Sequence, residues 1–108
     1  MKLRPLIALL TDFGTGDGYA ASMKGVIATI APQTRIVELS HDVPPQGIDQ
    51  AAYLLWSCHR YFPARTIFVG VVDPGVGTGR KILLVESGAY RFLAPDNGLL
   101  KFILGERT

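Results

Sequence analysis

Two aspartates in this sequence directly follow apolar runs and stand at the start of glycine-rich segments. Asp12 comes after the run Leu6–Leu10, and Asp73 comes after Thr66–Val72. A short apolar run of this kind is typical of a strand that is buried on both faces. A carboxylate at the end of such a strand has a fixed backbone, and glycines beside it let a ligand approach the main chain closely. Both aspartates are therefore candidate binding or catalytic groups.

Asp12 lies in the segment Thr11–Gly18, which holds three glycines and two aspartates. A carboxylate placed there can accept two hydrogen bonds from the cis-diol of a ribose, as acidic residues do in dinucleotide-binding folds. The alternative is that Asp12 or Asp17 only caps the helix that follows. The segment matches neither the GxGxxG pattern nor a phosphate-binding loop that ends in Gly-Lys-Ser or Gly-Lys-Thr. Its spacing leaves ligand binding and helix capping open.

Asp73 is followed by Arg80 across the glycine-rich segment Asp73–Gly79. A compact loop can bring the carboxylate and the guanidinium group to one water molecule. The carboxylate would then orient or deprotonate the water, and the cation would favour hydroxide. The alternative is an Asp–Arg ion pair that only closes the loop, and the spacing by itself favours that structural role.

The remaining polar candidates carry weaker signals. His41 and Asp42 are adjacent, and because neighbours in sequence rarely face each other, we expect a turn residue beside a helix cap. His59 stands among aromatic residues at helical spacing, and we expect it to be structural. Two histidines so far apart, without carboxylates at matching spacing, make a poor metal site, so no metal is expected. Asn97 belongs to Pro95–Gly98, a tight-turn signal that could also carry a ligand-facing amide.

The elements that would position these residues occur in the order β-α-β-α-β-β-β. Strands are predicted over Leu6–Leu10, Arg35–Leu39, Thr66–Val72, Lys81–Glu86 and Tyr90–Leu93, and helices over Tyr19–Ile30, Asp49–Tyr61 and Leu99–Leu104. This order favours an α/β fold with a mixed, mainly parallel sheet flanked by helices and an antiparallel hairpin. In such sheets ligands bind outside the carboxyl ends of the parallel strands, where Thr11–Gly18, Ser40–Pro45 and Asp73–Gly79 would meet.

Two sets of apolar residues bear on how the helices pack. The set that recurs along one face of the first helix is Met23, Val26, Ile27 and Ile30. The aromatic set around the second helix is Tyr53, Trp56 and Phe62. We expect these aromatic residues in the core rather than on a surface that stacks against adenine.

The overall composition fits one domain that acts on a small molecule. The chain has 108 residues, of which 48% are hydrophobic and 19% charged, and a net charge of +2 without any basic run. Nucleic acid and membrane surfaces are therefore not expected as partners. Cys58 is the only cysteine, which excludes an internal disulfide, and the run Leu6–Leu10 is too short for a membrane span or a signal peptide. We expect a cytoplasmic protein.

Taken together, six motifs resemble one known family. They are Leu10–Gly14, Tyr19 with Met23–Gly25, Ser40–Pro44, Phe62–Pro63, Val71–Gly77 and Ala94–Leu100. In this order and spacing they are similar to the S-adenosylmethionine hydroxide adenosyltransferases, which are relatives of the fluorinase and the chlorinase. The resemblance covers essentially the whole chain.

The resemblance implies hydrolysis of S-adenosylmethionine to adenosine and methionine. Hydroxide would attack the ribose C5′ and displace the sulfonium in line. Asp73 and Arg80 match an aspartate and an arginine that the family's hydrolases place around the water, together with a histidine. Asp12 matches the aspartate that holds the ribose hydroxyls, and Phe13 and Asn97 are the other expected substrate-binding residues. S-adenosylmethionine is then the substrate, and no cofactor is expected.

The alternatives to hydrolysis are a halogenase, a non-catalytic binding module, and an assembly or dimerisation domain whose acidic loops are only caps and which would bind no nucleoside. A halogenase of the related branch would have Tyr in place of Asp73 and Thr in place of Val76, and would lack Arg80. A carboxylate in the nucleophile pocket would also repel a halide ion. A non-catalytic module that binds adenosine or S-adenosylmethionine needs only Asp12 and the glycine-rich loops.

The resemblance also implies a larger protein. Family members are more than twice this long, carry a carboxyl-terminal β-barrel, and form trimers in which the ligand lies between one subunit's first domain and a neighbour's barrel. We therefore expect residues 1–108 to be a truncated amino-terminal α/β adenosyl-binding domain without that barrel. The catalytic histidine would lie beyond Thr108, and the full-length protein would be a homotrimer.

Overall fold

The computed structural model describes residues 5–14, 18–44, 47–72 and 81–105. Across these ranges the chain forms five strands and three helices. The strands are β1 (Leu6–Thr11), β2 (Arg35–Ser40), β3 (Ile67–Val71), β4 (Ile82–Ser87) and β5 (Tyr90–Pro95), and the helices are α1 (Tyr19–Ile30), α2 (Ile48–His59) and α3 (Lys101–Gly105). Every predicted element is present, and each end lies within two residues of its predicted place.

The strands pair into one sheet in the order β2-β1-β3-β5-β4. β1 pairs in parallel with β2 on one side and with β3 on the other, and β3 pairs in parallel with β5. β4 is antiparallel to β5, and Ser87 and Tyr90 are the last pair before the turn. The predicted α/β class, with a mainly parallel sheet and an antiparallel hairpin, is confirmed.

The chain turns in opposite directions after β1 and after β3, and this creates a switch point between these two strands. From β1 it passes through α1 to β2, and from β2 it returns through α2 to β3 on the far side of β1. Crossovers between parallel strands are right-handed, so the two helices cover opposite faces of the sheet. A crevice for ligands is expected where the direction reverses, outside the carboxyl ends of β1 and β3.

The main core lies between the sheet and the helices α2 and α3. Phe68 of β3 and Phe92 of β5 are register partners, and their buried rings stack with centroids 5.1 Å apart. His59 of α2 meets both rings edge-on, and its Nδ1 donates to the carbonyl oxygen of Trp56 at 2.6 Å. The expected structural role of His59 is confirmed.

Two expectations about the helices need correction. Tyr53 is 58% exposed, because the buried side of α2 runs through Ala51, Ala52, Leu55 and His59. Tyr53 instead forms a surface cluster with Trp56 and Phe102, whose ring centroids lie 5.9–6.3 Å apart. Trp56 and Phe62 do pack against the core, as expected.

The apolar face predicted for α1 is only partly buried. Val26 and Ile30 are exposed, whereas Ala20 is buried and Met23 and Ile27 are half-buried. At 100° per residue, the side of the helix that centres on Ala20 and Ile27 points away from Val26.

Among the described helices, none is long and apolar enough to cross a membrane.

Gly70 provides a test of the packing between β3 and the segment that leads into α3. An added Cβ would lie 2.5 Å from Cδ2 of the buried Leu99. We expect Gly70→Ala to lower the free energy of unfolding by about 1–3 kcal/mol, the usual cost of overpacking a core. Gly25→Ala in α1 is the control. Its Cβ meets nothing within 4 Å, so the helix should gain about 0.5–1 kcal/mol. Urea denaturation that gives equal stability for the two variants would contradict this packing.

Candidate functional site

The candidate site is the edge of the sheet where the parallel strands end. The segments that leave β1, β2 and β5 begin there, at Thr11, Ser40 and Pro95. The segment with Asp73 and Arg80 also starts at this edge, because Val72 directly follows the last residue of β3. Asp73 and Arg80 themselves lie outside the described residues. The described part of the edge holds the three predicted substrate-binding residues, Asp12, Phe13 and Asn97.

Asp12 is held at the junction of the two central strands. Its backbone N–H donates to the carbonyl oxygen of Val71 at 3.4 Å, so the first residue after β1 is tied to the last residue of β3. Its side chain is half-buried. Asp12 does not cap α1, because the residue that precedes this helix is Gly18 and, among the described residues, no side chain bonds the helix start. Of the two open interpretations of Asp12, capping is thereby excluded, whereas Asp17, the other candidate cap, lies outside the described residues.

Phe13 adds an aromatic surface beside Asp12. Its backbone N–H donates to Oγ1 of Thr11 at 3.2 Å. Its ring lies 5.9 Å from the ring of Tyr19, which is the first residue of α1 and is 63% exposed. An open pair of aromatic rings next to a carboxylate can contact the flat base or the ribose of a nucleoside while the carboxylate accepts hydroxyl hydrogens.

His41 lies at the same edge, where the segment Ser40–Pro45 was expected, but it makes more contacts than a simple turn residue would. The residue is 5% exposed, and its ring has Nδ1 2.7 Å from Oγ1 of Thr11 and Nε2 2.9 Å from Oε1 of Glu38. Its carbonyl oxygen accepts the N–H of Gly14 at 2.6 Å. Gly14 has a φ of +71°, a left-handed conformation that favours glycine. Asp42, in contrast, is exposed and bonds Ser40 through its backbone.

A bulge in β2 explains why His41 and Glu38 meet. Leu9 pairs with Glu38 and the next residue, Leu10, pairs with Ser40, so Leu39 is an extra residue in β2. Side chains three apart in a regular strand point to opposite faces. The extra residue removes that alternation and puts Glu38 and His41 on one side. Strict alternation could not have predicted this contact.

Glu38 also joins the edge to α1. Its carboxylate lies 2.8 Å from Nζ of Lys24. The hydrogen bond from Lys24, and after it the one from His41, holds the pKa of the Glu38 carboxyl below its ordinary value of 4.5. Glu38 is therefore an ionised acceptor at neutral pH.

The side-chain amide of Asn97 makes one hydrogen bond as a donor and one as an acceptor. Its Nδ2 donates to the carbonyl oxygen of Val72 at 2.7 Å, and its Oδ1 accepts the N–H of Leu99 at 3.1 Å. The predicted tight turn is present, since Gly98 has a φ of +94°. No residue in the described ranges takes the second hydrogen on Nδ2 or a second lone pair on Oδ1, and a ligand could use both. Asn97 thereby connects the end of β5 to the residue that precedes Asp73.

Two further features bear on the chemistry of this chain. Within the described ranges, no group of three or more histidine, cysteine, aspartate or glutamate side chains could hold a metal ion. A polar concavity lies at the turn between β4 and β5, and its lining includes Arg65, Glu86 and Arg91. It faces the opposite end of the sheet from Asp12, so it is separate from the candidate site.

The sequence matches one family model over most of its length. The model describes the SAM hydroxide adenosyltransferase N-terminal domain and covers residues 7–108. A protein named (R)-S-adenosyl-L-methionine hydrolase from Salinispora arenicola is 41% identical over 100 residues, which are 93% of this chain and 38% of that protein. A fluorinase from an Actinoplanes species is 27% identical over 125 residues, with 94% of this chain and 42% of that protein covered.

A solved structure has the same fold. A conserved protein from Thermotoga maritima superposes with a TM-score of 0.89 at 38% identity, and the match covers 93% of this chain. It covers 38% of the other chain. This chain thus spans well under half the length of the relatives it matches.

The contacts of Asn97 lead to a stability prediction. Asn97→Ala leaves the carbonyl oxygen of Val72, a fully buried residue, without its donor. We expect a loss of roughly 1–3 kcal/mol in the free energy of unfolding, as for other buried groups left unpaired. Asn97→Asp is the matched variant, because it keeps the acceptor for Leu99 but turns an oxygen toward the carbonyl of Val72. It should be as destabilised as Asn97→Ala at neutral pH and should recover as its carboxyl is protonated. Equal denaturation midpoints for all three proteins at neutral pH would contradict the assignment.

Proposed function

This chain belongs to the SAM hydroxide adenosyltransferase N-terminal domain family, and on that premise we propose that the protein hydrolyses S-adenosylmethionine to adenosine and L-methionine. The α/β domain would supply the ribose-binding carboxylate and the groups that activate water. Hydrolysis is favoured over halogenation because the relative named hydrolase shares 41% of the aligned residues and the fluorinase 27%. The presence of Asp73, Val76 and Arg80 supports the same choice, since the family resemblance implies Tyr, Thr and no arginine at these positions in a halogenase.

The observation that carries the proposal is the position of Asp12. The residue directly follows β1, its backbone is tied to Val71, and it borders the switch point between β1 and β3. Ligands of open α/β sheets bind at that place. A fixed carboxylate there would accept hydrogen bonds from the 2′- and 3′-hydroxyls of the ribose. Phe13 would contact the nucleoside beside it, and the side-chain amide of Asn97 would offer the ligand its second Nδ2 hydrogen and a lone pair on Oδ1.

Asp73 and Arg80 would act on the water nucleophile. Asp73 would accept a proton from water, and Arg80 would stabilise the resulting negative charge. A new bond would form between the water oxygen and C5′ while the bond from C5′ to sulfur breaks, and its electron pair would go to sulfur. The leaving thioether is neutral and needs no acid. The contribution of the enzyme is therefore the activation and alignment of the nucleophile.

The remaining parts of the proposal concern the whole protein. We propose S-adenosylmethionine as the substrate without a further cofactor, a homotrimeric assembly and a cytoplasmic location. Neither nucleic acid nor a membrane is proposed as a partner. The net charge of +2 and the scattered basic residues support the omission of both.

The ribose contact can be tested with a matched pair of aspartates. Asp12→Ala should weaken adenosine binding by roughly 1.5–3 kcal/mol, the range for hydrogen bonds to a charged group. Asp42→Ala removes an exposed carboxylate from the same edge and should leave the affinity unchanged. Replacing adenosine by its 2′,3′-dideoxy analogue should cost the Asp12→Ala protein little. Isothermal titration calorimetry that shows wild-type affinity for Asp12→Ala would remove Asp12 from the site.

The nucleophile pair can be tested in the full-length protein through methionine release. Asp73→Asn and Arg80→Ala should each lower turnover by roughly 10²–10⁴-fold, the usual loss for a positioned base. Because the two groups act on one water, the double variant should be barely slower than either single variant. Affinity for S-adenosylmethionine should change much less than turnover.

Three results would point elsewhere. Near-normal turnover in the single variants, or fully additive losses with affinity falling in parallel, would make the pair a structural one. A wild-type protein that binds S-adenosylmethionine and releases no methionine would favour a non-catalytic binding module.

A further inference from the structure

We propose that His41 is a positioning residue that holds the Asp12 loop in its binding conformation by accepting a hydrogen bond from Thr11 at Nδ1. This inference rests on the proposed function, because it concerns the loop to which ribose binding is assigned. The proposal adds that Nδ1 of His41 must accept a hydrogen bond, although the His41 side chain does not itself contact the substrate.

The contacts of His41 converge on the loop that carries Asp12 and Phe13. The imidazole is buried and reaches Oγ1 of Thr11, and the His41 carbonyl oxygen accepts the N–H of Gly14. Thr11 and Gly14 flank Asp12 and Phe13 in sequence. His41 therefore fixes both ends of the segment that is proposed to bind ribose.

The hydrogen-bond partners determine which ring nitrogen carries the proton. The carboxylate of Glu38 can only accept, so Nε2, at 2.9 Å, carries the hydrogen. In the neutral ring Nδ1 is then an acceptor, and the hydroxyl of Thr11 donates to it at 2.7 Å. The oxygen of Thr11 in turn accepts the N–H of Phe13 at 3.2 Å.

These bonds form a chain with a single direction. Phe13 donates to Thr11, Thr11 donates to His41, and His41 donates to Glu38, which also pairs with Lys24. A hydroxyl that donates to a fixed acceptor has a fixed orientation, so its lone pairs point in defined directions. The backbone amide of Phe13 is then held in one place, and with it the peptide between Asp12 and Phe13.

Substitutions at His41 distinguish a hydrogen-bond acceptor from a side chain that only fills space. If packing alone matters, asparagine and glutamine should both be tolerated according to size. If the acceptor at Nδ1 matters, His41→Asn should work, because its Oδ1 can take the place of Nδ1. His41→Gln should fail, because its amide reaches toward the place of Nε2 and leaves Thr11 without an acceptor. Thr11→Ser and Thr11→Val form the second matched pair, since only serine keeps the hydroxyl.

The experiment measures adenosine affinity by calorimetry and the exchange of the Phe13 and Gly14 amides by NMR. We expect His41→Asn and Thr11→Ser to bind adenosine within about threefold of the wild type. His41→Gln and Thr11→Val should bind about tenfold more weakly, the equivalent of about one hydrogen bond. The amides should exchange faster in the two weak variants only. Equal affinities and equal exchange in all four variants would overturn the proposal.

The ¹⁵N spectrum of His41 gives a readout that does not depend on any ligand. We expect the neutral ring with its proton on Nε2 in the wild type, and the same state in Thr11→Ser. A proton on Nδ1 would reverse the chain and overturn the proposal, even if adenosine binds. If the full-length wild-type protein neither binds nor hydrolyses S-adenosylmethionine, the proposed function fails. The tautomer and the amide exchange then still decide whether His41 positions the loop.

Discussion

Parallel pairing on both sides of β1 is the constraint on which the rest of this structure depends. Leu6–Thr11 has β2 on one side and β3 on the other, so its backbone hydrogen bonds are used in both directions. Because the three strands run the same way, their carboxyl ends come to one edge. The chain runs from β1 toward β2 and from β3 toward the opposite side of the sheet, and this divergence opens the crevice between β1 and β3. The candidate site is thus a consequence of strand order, and its side chains occupy a place that the backbone already provides.

The sequence predicted this architecture well because the relevant signals are local. Apolar runs that end at glycine, proline or aspartate indicate strands, and the 3.6-residue period indicates helices. The right-handed rule then limits the possible topologies. The side of a helix that faces the core depends on contacts with residues that are distant in sequence. The apolar residues of α1 span a wide arc, and only contacts with the sheet determine that Ala20, rather than Val26, faces inward. Tyr53 was misplaced for the same reason.

The site was predictable in location and less so in detail. The sequence predicts that the segment after β1 lies at the ligand-binding edge of the sheet. The choice between a ligand-binding and a capping role for Asp12, however, needed the observed start of α1 at Gly18. The contact between His41 and Glu38 could not be predicted, because a single extra residue in β2 changes which side chains share a face. A bulge has no clear sequence signature when its residues are an ordinary Leu and Ser. For Asp73 and Arg80, glycines allow many loop shapes, so their spacing cannot fix the distance between the two charges.

The proposed chemistry gives the arginine a second purpose beside the activation of water. S-adenosylmethionine carries a positive sulfonium, and that charge fades as the bond from C5′ to sulfur breaks. Carboxylates alone at this edge would stabilise the charged substrate more than the transition state, and such binding lowers no barrier. A nearby guanidinium opposes the attraction between carboxylate and sulfonium in the ground state. It also stabilises the hydroxide that forms. Under the proposed function, a carboxylate and a cation at one water would therefore suit this substrate better than either charge alone, because the sulfonium charge disappears as the bond from C5′ to sulfur breaks.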